Sequence, residues 1–319
     1  MNSVSRDVPE LSDPLGETLH QLRLHGSLYC RSELTAPWGI GMPAMPNNMM
    51  FHVVTRGVCI LEVPGEAPVL MRQGSLALVP RGEGHVVRCT GGSDVVNLFD
   101  LPVETVSERY EILRHGGEGE LTQLTCGVVK IDHVASERLI SLLPPVLLLD
   151  SWDSVSDSWL QSTLRFIAQE ANEPRPGGET ILTHLADILV IYAIRTWLES
   201  VPDKQEGWLA AMRDRQIGRA LAAIHKAPGN PWNVESLAAE CSMSRSGFSA
   251  RFTKLVGEPA KEYVTRWRMQ LAKRRLLTEP VSLATLAEEL GYGSEAAFSR
   301  AFKRIHGHAP AFTTVARPD

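Results

Sequence analysis

One segment of the chain occurs twice near its C-terminus. Residues 234–257, VESLAAECSMSRSGFSARFTKLVG, match residues 283–307, LATLAEELGYGSEAAFSRAFKRIHG, with Phe248 aligned on Phe298. Each copy has a short Leu/Ala-rich stretch, a tight turn, and a second stretch with Phe at positions i and i+4. Because residues four apart share one face of a helix, the repeat predicts two helix-turn-helix units.

A helix-turn-helix unit places its second helix in the major groove of DNA. A single copy of this pattern would also suit an ordinary helical hairpin with a basic face. Here a strongly basic segment at 261–277 joins the two copies. The combination favours a module that contacts successive major grooves of one duplex.

The distribution of charge supports the same prediction. The whole chain has 32 Lys and Arg against 37 Asp and Glu, a formal net charge of −5 that by itself would not suggest nucleic acid. Residues 1–209 contain 15 basic and 27 acidic side chains, whereas residues 210–319 contain 17 basic and 10 acidic ones. The chain is therefore an acidic body with a basic C-terminal third, which is the part expected to meet a polyanion.

Residues 208–314 resemble the DNA-binding domain of the AraC/XylS family of bacterial transcriptional regulators. The resemblance rests on the repeat, on the run YVTRWRMQLAKRRLL that starts at Tyr263, and on GYGSEAAFSRAFK that starts at Gly291. It implies a DNA-binding domain at 208–319 with its first helix-turn-helix at about 234–256, a connecting helix at 261–277 and the second at about 283–306. Ala260 departs from the family, since the first copy would often carry there the Pro that Pro310 supplies in the second.

The resemblance implies that residues early in each second helix contact base edges. These residues are Arg245, Ser246, Ser249, Glu295, Ala296, Ser299 and Arg300. An Arg side chain can hold guanine O6 and N7 together, so Arg245 and Arg300 are the leading base readers, with phosphate contact as the alternative. Glu295 either accepts from a cytosine amino group or favours the helix N-terminus. Phosphate contacts, which set affinity and register, are expected from Arg251, Lys254, Arg274, Arg275, Lys303 and Arg304.

Short β-rich runs punctuated by Gly and Pro dominate residues 20–131, and their spacing predicts a sandwich or barrel. From about 136 to 200 the apolar period becomes helical, with a break at 172–178. An apolar seam from Leu182 to Tyr192 fits a helix that pairs with a helix of a second subunit, or one that packs on its own barrel. The polar segment 201–207 is the predicted linker.

The segment GSLALVPRGEGH, which ends at His85, resembles the second cupin motif, G(X)5PxG(X)2H, up to that histidine. Cys89 stands where that motif usually ends in Asn. The His pair and the Glu of the first cupin motif would fall at Ala44, Pro46 and Met50, so the metal-binding triad of that motif is absent. A cupin metalloenzyme needs about three or four His or Glu ligands. We therefore expect no enzymatic activity, and a cupin-type metalloenzyme fused to a DNA-binding module is the alternative.

The predicted fold class is α+β. An N-terminal cupin-like β-barrel with a C-terminal helical hairpin occupies residues 1–200, with the barrel at about 20–131 and a helical pairing region at about 136–200. An all-α double helix-turn-helix domain follows the linker.

Two histidines and two cysteines are the candidate sensor residues: Cys30, His52, His85 and Cys126. Similar cupin-type members of the family look to carry these residue types at these places. Imidazole and thiolate are good zinc or copper ligands, and a thiol near a histidine oxidises readily. The four residues are expected to line one pocket, either as a redox switch or as a zinc or copper site. An organic ligand in the barrel and purely structural roles are the alternatives.

The expected function is a sequence-specific DNA-binding transcriptional regulator whose cupin-like domain senses a small molecule, a metal or an oxidant. Its expected partners are double-stranded promoter DNA, RNA polymerase if it activates, an unknown effector, and a second copy bound through residues 159–200. The apolar run at 188–194 is short for a membrane span, and the five cysteines form no CxxC pair. We therefore expect a cytoplasmic protein with no membrane contact. A ligand-independent architectural DNA-binding protein is a competing class.

Overall fold

The computed structural model describes residues 24–131, 139–150, 158–172, 175–201 and 207–313. Contacts divide the chain into two compact units, with the boundary along the sequence between residues 201 and 202. Most of the predicted linker lies outside the described residues. The predicted fold class, a β-rich cupin-like region followed by a helical domain, is confirmed.

The first unit is built mainly from strands. Those described are β1 (Leu24–Thr35), β2 (Gly39–Met42), β3 (Asn48–Arg56), β4 (Val58–Glu62), β5 (Val69–Arg72), β6 (Ser75–Val79), β7 (His85–Arg88), β8 (Val96–Asn97), β9 (Val103–Ser107), β10 (Tyr110–Gly116), β11 (Leu121–Ile131) and β12 (Leu147–Asp150). They form a seven-stranded sheet in the order β12-β6-β3-β11-β1-β10-β9 and a five-stranded sheet in the order β5-β4-β7-β2-β8.

Alternate residues of the strands fill the space between the sheets. Leu34 of β1, Val54 of β3 and Leu124 of β11 are each at most 1% exposed and belong to one apolar cluster. Because strand side chains alternate between faces, the even-numbered residues in the middle of these three strands point to the same interior, as Met50 and Cys126 do in the same cluster. This alternation positions the candidate sensor residues.

The predicted helical zone at 136–200 contains a strand that the sequence pattern did not predict. The apolar run LLLD of β12 pairs antiparallel with β6, with Leu147 opposite Leu78. A continuous apolar run of this length fits a buried strand as well as a helix, so tertiary pairing at the sheet edge decided the structure.

Among the described residues, this unit also contains the helices α1 (Ser158–Asn172) and α2 (Gly178–Ser200). The predicted seam faces the unit itself, since Leu182 and Leu189 are 5% and 1% exposed and α2 packs on α1, β1 and β12. The structure thus favours the alternative that this part of the seam packs within the chain's own unit, and pairing with a second copy through residues 159–200 stays a prediction. Neighbouring Ile188 is 45% exposed instead.

Helix α2 is also more apolar over its length than the run at 188–194 suggested. Its segment Thr180–Ser200 has a mean hydropathy of 1.5 and, by length and composition alone, could cross a membrane. Core helices of soluble proteins pass the same test, and one face of α2 is packed against α1 and two strands. Packing covers part of this segment, of which 39% is buried in the structure.

The second unit is helical. Its described helices are α3 (Trp208–Arg213), α4 (Arg215–Lys226), α5 (Val234–Glu240), α6 (Arg245–Val256), α7 (Ala260–Thr278), α8 (Leu283–Glu289) and α9 (Glu295–His306). Ser244 and Ser294 cap α6 and α9 at equivalent positions, where each side-chain oxygen accepts a backbone N–H. The repeated Phe pairs are fully buried. Helix α7 begins at Ala260 directly after Pro259, so the departure at Ala260 leaves that start in place.

The two helix-turn-helix copies have different residues at the position of positive φ in their turns. Ser242 follows α5 with a φ of 53°, and Gly291 follows α8 with a φ of 72°. A Cβ on Gly291 would lie 2.2 Å from the carbonyl oxygen of Gly229. The second turn therefore requires glycine, whereas the first has room for Ser242 in the left-handed region.

Candidate sensor site and DNA-binding surface

Three of the four candidate sensor residues lie in one row across the larger sheet. In the register of neighbouring antiparallel strands, Cys30 of β1 lies opposite Cys126 of β11, and Cys126 lies opposite His52 of β3. Cys126 and His52 are buried, and Cys30 is half-buried. Directly opposite residues share one face of a sheet, so the three side chains point into the same interior.

The fourth candidate, His85, enters from β7 of the other sheet. Its Nε2 atom lies 2.7 Å from Nε2 of His52, and the two rings meet edge to face. His52 Nδ1 lies 3.1 Å from Sγ of Cys126, and His85 Nδ1 lies 2.9 Å from the carbonyl oxygen of Glu83. The structure thus joins the two sheets through one chain of hydrogen bonds.

The direction of each hydrogen bond follows from the end of that chain. A carbonyl oxygen only accepts, so His85 Nδ1–H donates to Glu83, and neutral His85 then accepts at Nε2. His52 must therefore donate from Nε2 and accept at Nδ1, where the Cys126 thiol is the donor. Every group in the chain is neutral in this arrangement.

The pKa shifts agree with neutral groups. Burial lowers the pKa of His52 well below its usual value, and the neighbouring His85 lowers it further. Burial also lowers the pKa of His85, although the Glu83 carbonyl opposes that shift. Burial raises the pKa of the Cys126 thiol well above its usual value, and it raises the pKa of Cys30 despite a hydrogen bond with Ser32. Both thiols rest in the protonated, weakly nucleophilic form.

The four residues do not fit a shared metal ion. Within the described ranges, no group of three or more His, Cys, Asp or Glu residues could hold one. The reason at this site is that Cys126 and His85 contact opposite nitrogens of the His52 ring, and one ion cannot bind both sides of an imidazole. The zinc or copper alternative therefore lacks a suitable ligand arrangement.

An open pocket of about 540 Å³ reaches the same chain of hydrogen bonds from outside. Met42, Pro64 and Val95 contribute apolar walls, Glu62 and Asn97 contribute polar groups, and His85 is part of the lining. The buried cluster thus has one member beside solvent-accessible space.

In the first helix-turn-helix, the predicted DNA-contacting residues lie on the exposed side of α6. Ser246 and Ser249 are exposed, as are Arg245 and Lys254. Two of the cations already have carboxylate partners: Arg245 Nε lies 2.9 Å from Glu235, and Arg251 Nη2 donates to Asp214 at 2.6 Å. Asp214 also caps α4, so Arg251 links two helices of the unit.

In the second helix-turn-helix, Glu295, Ala296, Arg300, Lys303 and Arg304 are exposed on α9, and Ser299 is half-buried. On the connecting helix, Arg274 is half-buried. Arg275 pairs with Glu279 and with Glu289 of α8, which favours a structural role over the predicted phosphate contact. The exposed face of α9 therefore carries three cations near its C-terminal half.

Sequence reasoning missed the partners of these residues. Glu235 and Asp214 form ion pairs with two predicted DNA-contacting arginines, and no sequence motif indicates these pairs. Glu83 acts through its backbone carbonyl, which no side-chain pattern reveals, although the Pro-Gly turn before His85 indicates a tight approach of backbone to ring.

Comparison with known proteins agrees with this division. A Cupin family model matches residues 13–199, and a Helix-turn-helix domain model matches residues 237–314. A putative AraC-like transcription regulator of Streptomyces lividans is 34% identical over 93% of this chain and 96% of its own length. The RCS-specific HTH-type transcriptional activator RclR of Escherichia coli is 26% identical over 88% of this chain and 87% of its own. The DNA-binding domain of AdpA, solved in complex with a target DNA, is 29% identical over 31% of this chain and 89% of that one, with a TM-score of 0.30.

Proposed function

The chain belongs to the AraC-like transcription regulators, with an N-terminal cupin domain and a helix-turn-helix DNA-binding domain. We propose that oxidation of Cys30 and Cys126 to a disulfide controls its binding to DNA. The observation that carries the proposal is that the two thiols lie directly opposite each other on neighbouring antiparallel strands.

Directly opposite residues of antiparallel strands have Cα atoms about 4.5–5.5 Å apart. Disulfides form at Cα separations of about 4.4–6.8 Å, so the bond needs little movement of the backbone. Cys30 is the more exposed thiol and is the one that meets the oxidant. Cys59, Cys89 and Cys241 are buried, and Cys59 and Cys241 are expected to serve as core residues.

The oxidant class is a peroxide. The sulfur of Cys30 attacks the peroxide O–O bond, which gives a sulfenic acid on Cys30 and releases an alcohol or water. The sulfur of Cys126 then attacks the Cys30 sulfur, the S–S bond forms, and the hydroxyl group leaves as water. The two thiols together lose two electrons and two protons, and the peroxide gains both.

The test is oxidation of the purified full chain with one equivalent of hydrogen peroxide, followed by peptide mapping. We expect a Cys30–Cys126 disulfide, which Cys30→Ser and Cys126→Ser each abolish, whereas Cys241→Ser in the other unit has no effect. Absence of this disulfide in the wild-type chain would refute the redox proposal.

A second copy of the chain is the proposed oligomeric partner, through residues 159–200. Trp159 and Ile188 are each 45% exposed, and with Tyr192 they line an open apolar pocket of about 500 Å³. A regulator that reads repeated DNA half-sites benefits from a dimer. Ile188→Asp should shift the chain toward monomer in sedimentation, whereas Val103→Asp on an exposed strand should not.

The relative from Escherichia coli is named an activator. If this chain also activates transcription, RNA polymerase is its partner at the promoter. The proposed compartment is the cytoplasm in either case. The relatives are named as transcription regulators, and we propose no enzymatic turnover for the barrel.

A second candidate effector is an organic ligand in the pocket of about 540 Å³ beside His85. Its largely apolar walls favour such a molecule. Ligand-dependent melting that survives in the Cys30→Ser, Cys126→Ser double variant would support this candidate in place of the redox proposal.

A further inference from the structure

We propose that His52 and His85 form a proton relay that removes the thiol proton of Cys126 when Cys126 attacks oxidised Cys30. The inference rests on the proposed redox function and explains how a deeply buried thiol reacts.

The difficulty lies in the burial of Cys126. Its thiol is shielded from water, and burial raises its pKa well above the usual value, so hydroxide in solution cannot readily remove its proton. A thiol attacks a second sulfur as the thiolate. Disulfide closure therefore needs a base inside the barrel.

Among the described residues, the Ser32 hydroxyl and the His52 ring both contact the Cys126 thiol, and of the two only the imidazole is a base. Among the described residues, His52 Nδ1 at 3.1 Å is the nitrogen placed to accept the thiol hydrogen. In the tautomer with hydrogen on Nε2, Nδ1 of His52 is unprotonated and the Nε2–H points toward His85. His52 can take a proton on one side and give a proton on the other.

The relay ends at His85. When His85 Nε2 receives a proton from His52 at 2.7 Å, the ring becomes an imidazolium whose Nδ1–H still donates to the Glu83 carbonyl. That carbonyl favours the charged ring, and because His85 lines the open pocket, its Nδ1 hydrogen leaves the carbonyl for a water molecule there and the ring returns to neutral. The proton thus leaves the barrel core without a charge remaining on His52.

The proton balance is complete. The thiol proton of Cys126 enters the relay, one proton leaves at His85, and the hydroxide displaced from the Cys30 sulfenic acid takes up one proton to become water. No additional co-reactant is needed beyond the peroxide already named.

The experiment treats reduced full-length chain with hydrogen peroxide in the presence of dimedone, which traps sulfenic acid. In the wild-type chain the disulfide should form faster than trapping. His52→Gln and His85→Gln should each slow closure about a hundredfold or more, the range for loss of a general base, so that trapped Cys30 accumulates. His184→Gln, a change at an exposed histidine of α2, is the matched control and should behave as wild type.

The pH dependence separates a proton relay from a packing role. Among the described residues, the titratable groups that face the cluster include Cys30 of β1, Cys59 of β4, Tyr110 and Glu111 of β10, and Glu62, which lines the pocket beside His85. With the relay intact, closure should vary little between about pH 6.5 and 8.5, since the neutral histidines are present throughout. In His52→Gln, closure should rise about tenfold per pH unit, because hydroxide becomes the base.

The outcomes are distinct. If the wild-type chain forms neither sulfenic acid nor disulfide, the proposed function fails. If the wild-type chain forms the disulfide and His52→Gln closes at the same rate, the relay fails while the proposed function stands. A wild-type rate in His85→Gln would confine the base to His52 and overturn the relay as stated. Circular dichroism of each variant before oxidation verifies that it is folded.

Discussion

The Nδ1 atom of His52 lies 3.1 Å from the Sγ atom of Cys126 in the interior of the cupin barrel. Through this contact and the His52–His85 hydrogen bond, the Cys126 thiol of the larger sheet is connected to His85 of the smaller sheet, which lines a pocket open to solvent. The barrel thus retains none of the first-motif metal ligands of a cupin, and it has a neutral Cys–His–His chain in their place.

This chain makes the stability of the protein depend on pH in a defined direction. The folded-state pKa values of His52 and His85 are lowered, mainly by burial, so the unfolded chain binds protons more tightly near pH 6.5. The histidines' contribution is present above about pH 6.5 and is lost as the pH falls below it, by at most about 1.4 kcal/mol per pH unit for each histidine.

We therefore predict that the melting temperature of the wild-type chain falls from pH 7 to pH 5.5. The fall should be smaller in the His52→Gln, His85→Gln double variant and unchanged in His184→Gln. Glu62 and Asp214, whose pKa values are lowered, act only below about pH 4.5 and do not contribute in this window. Equal slopes in the wild-type chain and the double variant would contradict the prediction.

The two turns of the repeat give opposite predictions for glycine. Gly291→Ala places a Cβ against the Gly229 carbonyl at a positive φ, and it should destabilise the second helix-turn-helix by more than about 1 kcal/mol. Ser242→Gly removes the penalty for a left-handed Ser and should be neutral or stabilising. Amide hydrogen exchange at residues 283–306 and 234–256 measures the two effects separately, and unchanged exchange in Gly291→Ala would refute the argument.

The exposed cations of α6 and α9 should separate into two classes. Arg300→Ala should weaken a specific site by about 1–3 kcal/mol and random DNA far less, because a base contact discriminates sequences. Lys254→Ala should weaken both about equally and reduce the salt dependence, because a phosphate contact does not. Titrations with a site selected from a random library give both values, and an equal loss on both DNAs in Arg300→Ala would remove its base-reading role.

Sequence patterns predicted the fold class because it depends on periodicity that a single chain displays. The repeated Phe pairs and the alternating apolar residues of the strands can be recognised without the tertiary structure. The strand Leu147–Asp150 was missed because a short apolar run suits either a strand or a helix until a partner edge is known. The seam of α2 was ambiguous for the same reason, since apolar spacing does not say which neighbour covers it.

The candidate sensor residues were named from residue type and motif position, and the structure places all four together. What the sequence could not give was the order of contacts. Cys126 and His85 contact opposite nitrogens of His52, which favours a proton relay over a shared metal ion, and the backbone carbonyl of Glu83 sets the direction of the hydrogen bonds.

DNA affinity measured before and after oxidation tests whether the thiol pair in the barrel controls the DNA-binding unit. A site selected by the chain from a random library would be titrated with reduced and peroxide-oxidised protein, for the wild-type chain and for Cys126→Ser. We predict that oxidation changes the affinity of the wild-type chain by at least about fivefold, the lower end of usual allosteric coupling, and leaves Cys126→Ser unchanged. Formation of the Cys30–Cys126 disulfide with no change in DNA affinity would contradict the account.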